Sequence, residues 1–441
     1  MGGPHINLLQ RVRPSQFLRH NAIFFTGALV VGGLNYVYYP VLGRLLPPSA
    51  FGEVQTLVSL FLQLTIFLNV LGMVTVTIVA NARNTRAAQR TILDFEKAAV
   101  LISVGLLLLA TLVSPWLKHF LQFDSGAPFV ALGASLVASV PFTFRTAYLR
   151  GQQRFTAVSL ANILAAGAKL VFSVVFVLAG LATFGAMLGL VGAQLFALGY
   201  AAYWARRIGL VKLSFKEYFL QWPSLKRLRP ELKYAGLVLA VSLAITLQYS
   251  VDILFVKHYF DPHVAGLYAG IAAVARIIFF VTASIAQVML PSVKLVHTPA
   301  QNRALLFKSG ILLVGVGAPV WLACVAAPDL VVRVLMGNGY VPYAHLLPVL
   351  ATAVFIISVL NLIMAYFTAL HKHVVAIVGI MGSAVTFCLM LSWHNSLEAV
   401  VDSMFLGSLA MGGLLALWIS GTKLKRGVHA AATNHDNRSG L

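Results

Sequence analysis

The segment Tyr249–Arg276, YSVDILFVKHYFDPHVAGLYAGIAAVAR, decides how the chain reads. It holds the end of one apolar run, a short polar turn and the start of the next. An acid, Asp252, and a base, Arg276, lie inside the runs. A charge placed in hydrocarbon costs about 3 kcal/mol on insertion scales, so a charge there points to function. The turn has an earlier copy, RLLPPSAFGEVQ from Arg44; Pro48 and Pro262, like Gly52 and Gly266, stand 214 positions apart. The chain therefore reads as one six-helix unit written twice, with this segment opening the second copy.

Composition agrees. Apolar residues make up 59% of the 441 and charged residues only 10%, against roughly 25% charged in soluble proteins. Apolar runs of about 20 residues, long enough to cross a bilayer as helices, recur along the chain. Twelve spans are expected, at 22–43, 53–80, 98–118, 128–149, 155–179, 182–205, 233–258, 264–291, 305–327, 345–369, 373–392 and 398–420. The expected organisation is a leader (1–21), an N-terminal six-helix lobe (22–205), a basic linker (206–232), a C-terminal six-helix lobe (233–420) and a polar tail (421–441). The net charge of +20 is spread over many loops rather than gathered in one domain, so it sets topology and implies no nucleic-acid partner. With both termini cytoplasmic, 25 of the 32 Lys and Arg fall on the cytoplasmic side. The first apolar run lacks a small-residue cleavage site and reads as a retained span.

The intramembrane polar residues are the candidate site. Arg145 lies about one turn from the end of its span and can snorkel to the interface. Lys169 lies about 14 residues beyond Phe155, roughly 21 Å along a helix, near the bilayer core. Asn162 is on the same helical face as Lys169. Gln248 and Asp252 share a face at i, i+4, and Arg276 and Gln287, eleven residues or three helical turns apart, also share one. Tyr36, Tyr38 and Tyr39 read as an interfacial belt. The linker, with Phe215, Tyr218, Phe219 and Trp222, reads as an in-plane amphipathic helix on a membrane surface.

Other chemistry is missing. Eleven of the twelve acids fall in loops, tails or span ends, leaving Asp252 alone within a span. No carboxylate pair is placed for glycosidase work, and no phosphate loop, H-E-x-x-H or G-x-S-x-G is present. Cys324 and Cys388 sit mid-run, which excludes a disulfide framework, and no Cys/His metal spacing exists. The outer loops are short, so a membrane-embedded glycosyl transferase or ligase is disfavoured. A non-enzymatic transporter built from repeats fits better, with its substrate near the midplane between them.

A set of short elements supports this reading. They are Gly43-Arg44-Leu45-Leu46-Pro47-Pro48 with Phe51-Gly52, the run Tyr148–Phe155 (YLRGQQRF), Val251-Asp252-Ile253-Leu254, Asp261-Pro262, Gly266-Leu267-Tyr268 and Met336–Tyr340 (MGNGY). In order and spacing they resemble the polysaccharide transporters of the multidrug/oligosaccharidyl-lipid/polysaccharide flippase superfamily, which include O-antigen flippases of lipopolysaccharide synthesis. The resemblance implies an all-α, MATE-like, V-shaped bundle of two lobes working by alternating access in a bacterial or archaeal cytoplasmic membrane. It implies a lipid-linked oligosaccharide cargo, typically on undecaprenyl diphosphate, with glycosyltransferases and a polysaccharide polymerase as partners. Asp252 matches a recurrent acid of the family, and Lys169 and Arg276 match cavity bases of some members. Three span bases and one acid would make a shared cavity cationic, suited to a diphosphate. The alternative is a secondary multidrug or cation exporter of the same fold. No cofactor is expected beyond a coupling H⁺ or Na⁺ at Asp252, which could instead pair with Lys169 or Arg276.

Overall fold

The structure is a computed structural model and describes residues 14–80, 82, 85–210, 225–293 and 298–436. Hydrocarbon offers no water to satisfy backbone N–H and C=O groups, so an apolar chain of this kind folds into helices. These are α1 (Pro14–Leu45), α2 (Pro48–Ala80), α3 (Thr85–Phe120), α4 (Ala127–Gly151), α5 (Phe155–Phe176), α6 (Ala182–Arg207) and α7 (Leu225–Tyr259). Then follow α8 (Pro262–Ala275), α9 (Ile277–Ser292), α10 (Pro299–Ala326), α11 (Pro328–Leu335), α12 (Leu347–Ala369), α13 (Val374–Ser392) and α14 (Leu397–Asp436). Among the described residues no strand occurs. By length and hydropathy, nine helical stretches of the described residues can cross a membrane, or ten if the bent α8–α9 pair is one span. One of the nine, Phe155–Arg207, contains a reversal. Gly180 takes φ +87° there, a conformation L side chains rarely adopt. Beyond it α6 runs back along α5, with Gly185 against Phe176 and Gly189 against Ser173.

Helices α1–α6 and α7–α14 form two lobes. One apolar core ties them together at the end carrying the two proline turns, drawing Leu42, Phe51 and Phe123 from the first lobe and Phe255, Tyr268 and Tyr340 from the second. A second core, with Phe95, Phe144 and Tyr148, belongs to the first lobe at the basic-loop end and takes in Ala235 of α7. The repeat-related glycines of the two turns meet each other. A Cβ on Gly52 would lie 2.9 Å from the Gly266 Cα, and one on Gly266 only 1.7 Å from the Pro48 carbonyl oxygen. Small residues are what permit backbones to approach this closely in a membrane. Contact between equivalent residues places the relating axis between them, as expected of parallel repeats. Tyr39 stacks on Phe280 across the same seam, whereas Leu29, Val30 and Val288 nearer the basic-loop end are exposed. The seam is closed at the proline-turn end.

Several sequence expectations change. The bend of 41° at Arg276 breaks the straight helix assumed for 264–291. Tyr38 and Tyr39 are buried in the bundle rather than set at an interface. The loop around MGNGY is not a simple turn: α11 and a 3-10 segment, Asn338–Leu346, fold it over the seam. There the Tyr340 hydroxyl donates to the Gly43 carbonyl at 3.2 Å. Of the expected linker helix, 211–224 and its four aromatics lie outside the described residues, while 225–232 are the first turns of α7. The last helix continues to Asp436, past the expected start of the tail at 421.

Candidate functional site

The acid and base of the opening segment are partners. Arg276 sits at the hinge between α8 and α9, its backbone still near helical at φ −68° and ψ −9°. That hinge turns its side chain back onto α7. Arg276 Nη2 donates to Asp252 Oδ1 at 2.5 Å, and its Nε donates to the Tyr249 carbonyl at 2.8 Å. Tyr268 completes the group by donating its hydroxyl to Asp252 Oδ2 at 2.7 Å. Asp252 is wholly buried and Arg276 nearly so. Both carboxylate oxygens are thus engaged, which is what a buried charge requires. Arg276 is therefore not a free cavity base.

Lys169, on α5, is held differently. Its Nζ donates to Asn35 Oδ1 at 2.5 Å and lies 4.3 Å from the centroid of the Tyr38 ring. Among the described residues it has no carboxylate partner, and its side chain remains partly exposed. An amide oxygen and an aromatic face stabilise an ammonium without neutralising it. Lys169 is therefore a base with no acid beside it among the described residues. Asn162, seven residues earlier, is also partly exposed on this helix.

The remaining candidates do not join either group. Arg145 Nη1 pairs with Glu96 Oε2 at 2.7 Å, at the basic-loop end of α3 and α4. It lines a lateral groove of ≈ 800 Å³ with Pro141, Leu198, Tyr203, Arg206 and Arg207. The opposite face of α4 packs on α2, Thr143 against Gly72, so this groove faces away from the seam. Gln248 is buried against α13, where Thr386 donates to its Oε1 at 2.9 Å. Gln287 is exposed on α9, on the far side of the bend from Arg276. The i, i+4 and i+11 spacings were sound for straight helices, but the neighbours of Gln248 and the hinge at Arg276 divert these side chains.

Three acids outrank their sequence positions. Glu53, Asp94 and Glu96, at span ends or in a loop by hydropathy, are buried. Glu53 accepts from the Asp124 backbone N–H at 2.8 Å and from Thr183 Oγ1 at 2.7 Å. Asn35, Tyr38 and Tyr268 also belong to polar clusters that spacing did not single out. Tyr268 was visible as part of a shared turn, though its link to Asp252 crosses two helices.

Comparison with known proteins places this architecture. The chain has the fold of the MATE multidrug transporter DinF-BH (TM-score 0.67, 14% identity, 94% of this chain and 98% of that one). It is similarly close to the lipid II flippase MurJ in an inward closed conformation (TM-score 0.70, 10% identity, 91% and 87% covered). At these identities the likeness shows the fold alone: an all-helical, multi-pass bundle. No curated protein sequence matches. The profile of the family described as "Polysaccharide biosynthesis protein" matches residues 17–297. That stretch takes in α1 through the hinge at Arg276, with Lys169, Asp252 and both proline turns, and the chain belongs to the polysaccharide biosynthesis protein family.

Proposed function

We propose that the protein is a flippase carrying a lipid-linked oligosaccharide, on a diphosphate carrier, from the cytoplasmic to the outer leaflet for polysaccharide synthesis. Lys169 carries this reading: a positive charge in the first lobe with an amide and a ring for partners and no carboxylate. A diphosphate brings the oxygens that an ammonium binds by charge-assisted hydrogen bonds. Closure of the seam at the end away from the basic loops supports entry from the cytoplasmic face, since basic loops stay inside. Partner glycosyltransferases and a polymerase would act before and after the crossing. A coupling proton or Na⁺ at Asp252 would first have to displace Arg276 and Tyr268.

The fold shared with a multidrug transporter gives the second reading, export of cations. Such cargo needs a free acid in the seam, and Asp252 has both oxygens occupied.

The test is repeat-unit translocation in a bacterial strain lacking its own flippase. The chain is expected to restore surface polysaccharide. Lys169→Ala, at equal membrane abundance, is expected to lower it by roughly tenfold or more, the scale of a lost hydrogen bond to a charged group. Export of cationic dyes by the chain, with no polysaccharide restored, would move the assignment to the second reading.

A further inference from the structure

At the proline-turn end the lobes close over a lysine that makes no ion pair among the described residues. Lys257, on α7, is 1% exposed, and its Nζ has no hydrogen-bond partner. It points across the seam to the Phe123 ring, 5.2 Å away. The acids acting on it are Glu53 and Asp124 of the first lobe and Asp261 of its own. None lies within ion-pair distance of Nζ among the described residues. Glu53 already spends its oxygens on Asp124 N–H and Thr183. These donors belong to its own lobe and persist however the lobes move.

The fold does not require this charge. The offset of 214 that relates the two turns carries Gly43 onto Lys257 and Glu53 onto Leu267. The matching positions of the other repeat are thus filled by a glycine and a leucine. Burying an ammonium without a partner is costly, and the cost disappears once the group reaches water. Separation of the lobes at this end would hydrate Nζ. Closure must therefore be won against Lys257 by the contacts around it, the Gly52–Gly266 approach and the stacking of His258 on Phe120 among them.

We propose that Lys257 is the release element of this gate, a positioning residue whose buried charge biases the closed end toward opening, with Glu53 restraining it. The inference rests on the alternating-access reading of the transporter but on no particular cargo. It has a definite sign. Removing the charge should favour the closed end, and neutralising Glu53 should favour the open one.

Nitroxide labels at Ser125→Cys and His263→Cys, exposed residues of opposite lobes at this end, would report the gate by double electron–electron resonance. The background is the full-length chain in lipid nanodiscs with Cys324→Ala and Cys388→Ala. Lys257→Met is expected to raise the closed-to-open ratio about tenfold, and Glu53→Gln to lower it by a similar factor. An unchanged or more open Lys257→Met protein overturns the proposal. A second measurement needs no change at Lys257. Acetylation of the otherwise unmutated chain, read by mass spectrometry, should modify Lys257 far more slowly than the exposed Lys372. Glu53→Gln should accelerate it. Equal rates at Lys257 and Lys372 overturn the proposal too. Both readouts concern the gate alone, so they can succeed or fail whichever cargo the complementation test supports.

Discussion

Equivalent positions of the two lobes each hold a base, and hold it in opposite ways, though the bases themselves, Lys169 and Arg276, are not repeat-related. The offset of 214 carries Asn35 onto Tyr249 and Tyr38 onto Asp252. In the second lobe these positions hold Arg276, through the Tyr249 carbonyl and the Asp252 carboxylate. In the first they hold Lys169, through the Asn35 amide and the Tyr38 ring. One repeat position therefore carries an acid in one lobe and a phenol in the other. The acid gives its base a counter-charge and ties it to the hinge; the phenol offers its base a ring face and no counter-charge. Repetition supplies the cradle, and a single residue decides whether it is a strut or a binding group.

The sharpest way to break this contrast is Asp252→Asn. Arg276 would keep the Tyr249 carbonyl but lose its counter-charge in a buried site. Removing one partner of a buried pair typically costs about 3–5 kcal/mol. Thermal unfolding of the detergent-solubilised chain should show that loss, and Asp252→Leu with Arg276→Met should recover most of it. A mild effect for Asp252→Asn alone would mean that the pair is not the strut described.

A smaller effect is expected at Glu96→Gln. The pair with Arg145 resembles the hinge pair in distance, 2.7 Å against 2.5 Å, but the Arg145 side chain is 22% exposed. Solvent screens such a group and can hydrate it once freed, so the loss should be about 1 kcal/mol. Unfolding measured side by side with Asp252→Asn tests whether burial, rather than charge pairing as such, separates the two.

The apolar runs carried the fold openly, because the bilayer imposes a length that periodicity need not resolve. The repeat was legible from Pro48, Gly52, Pro262 and Gly266, whose contact across the seam makes the same spacing a structural fact. Asp252 and Arg276 were visible as charges out of place, and their pairing was one of the readings the sequence allowed. What stayed hidden depended on neighbours. The hinge at Arg276 follows no proline and carries no mark in the helix pattern. Gln248 shares a face with Asp252 but meets Thr386 of a helix far along the chain. Lys257 sits where hydropathy places the outer end of a span, and only α11, the 3-10 segment and the turn after α3 show that this end is roofed over.

The smallest expected stability change belongs to the residue expected to matter most for transport. Lys169→Met removes an ammonium that no carboxylate balances and leaves the Asn35 amide oxygen in a partly open site. Losing the hydrogen bond costs stability, while no longer dehydrating the ammonium restores it, and the net should fall within about 1 kcal/mol. A melting profile matching the unmutated chain, together with lost translocation, would mark Lys169 as a binding group rather than a structural one. A loss approaching that of Asp252→Asn would instead make Lys169 a second strut. The two lobes would then differ only in the chemistry of their braces, and the free positive charge assigned to the first would have no place in the cycle.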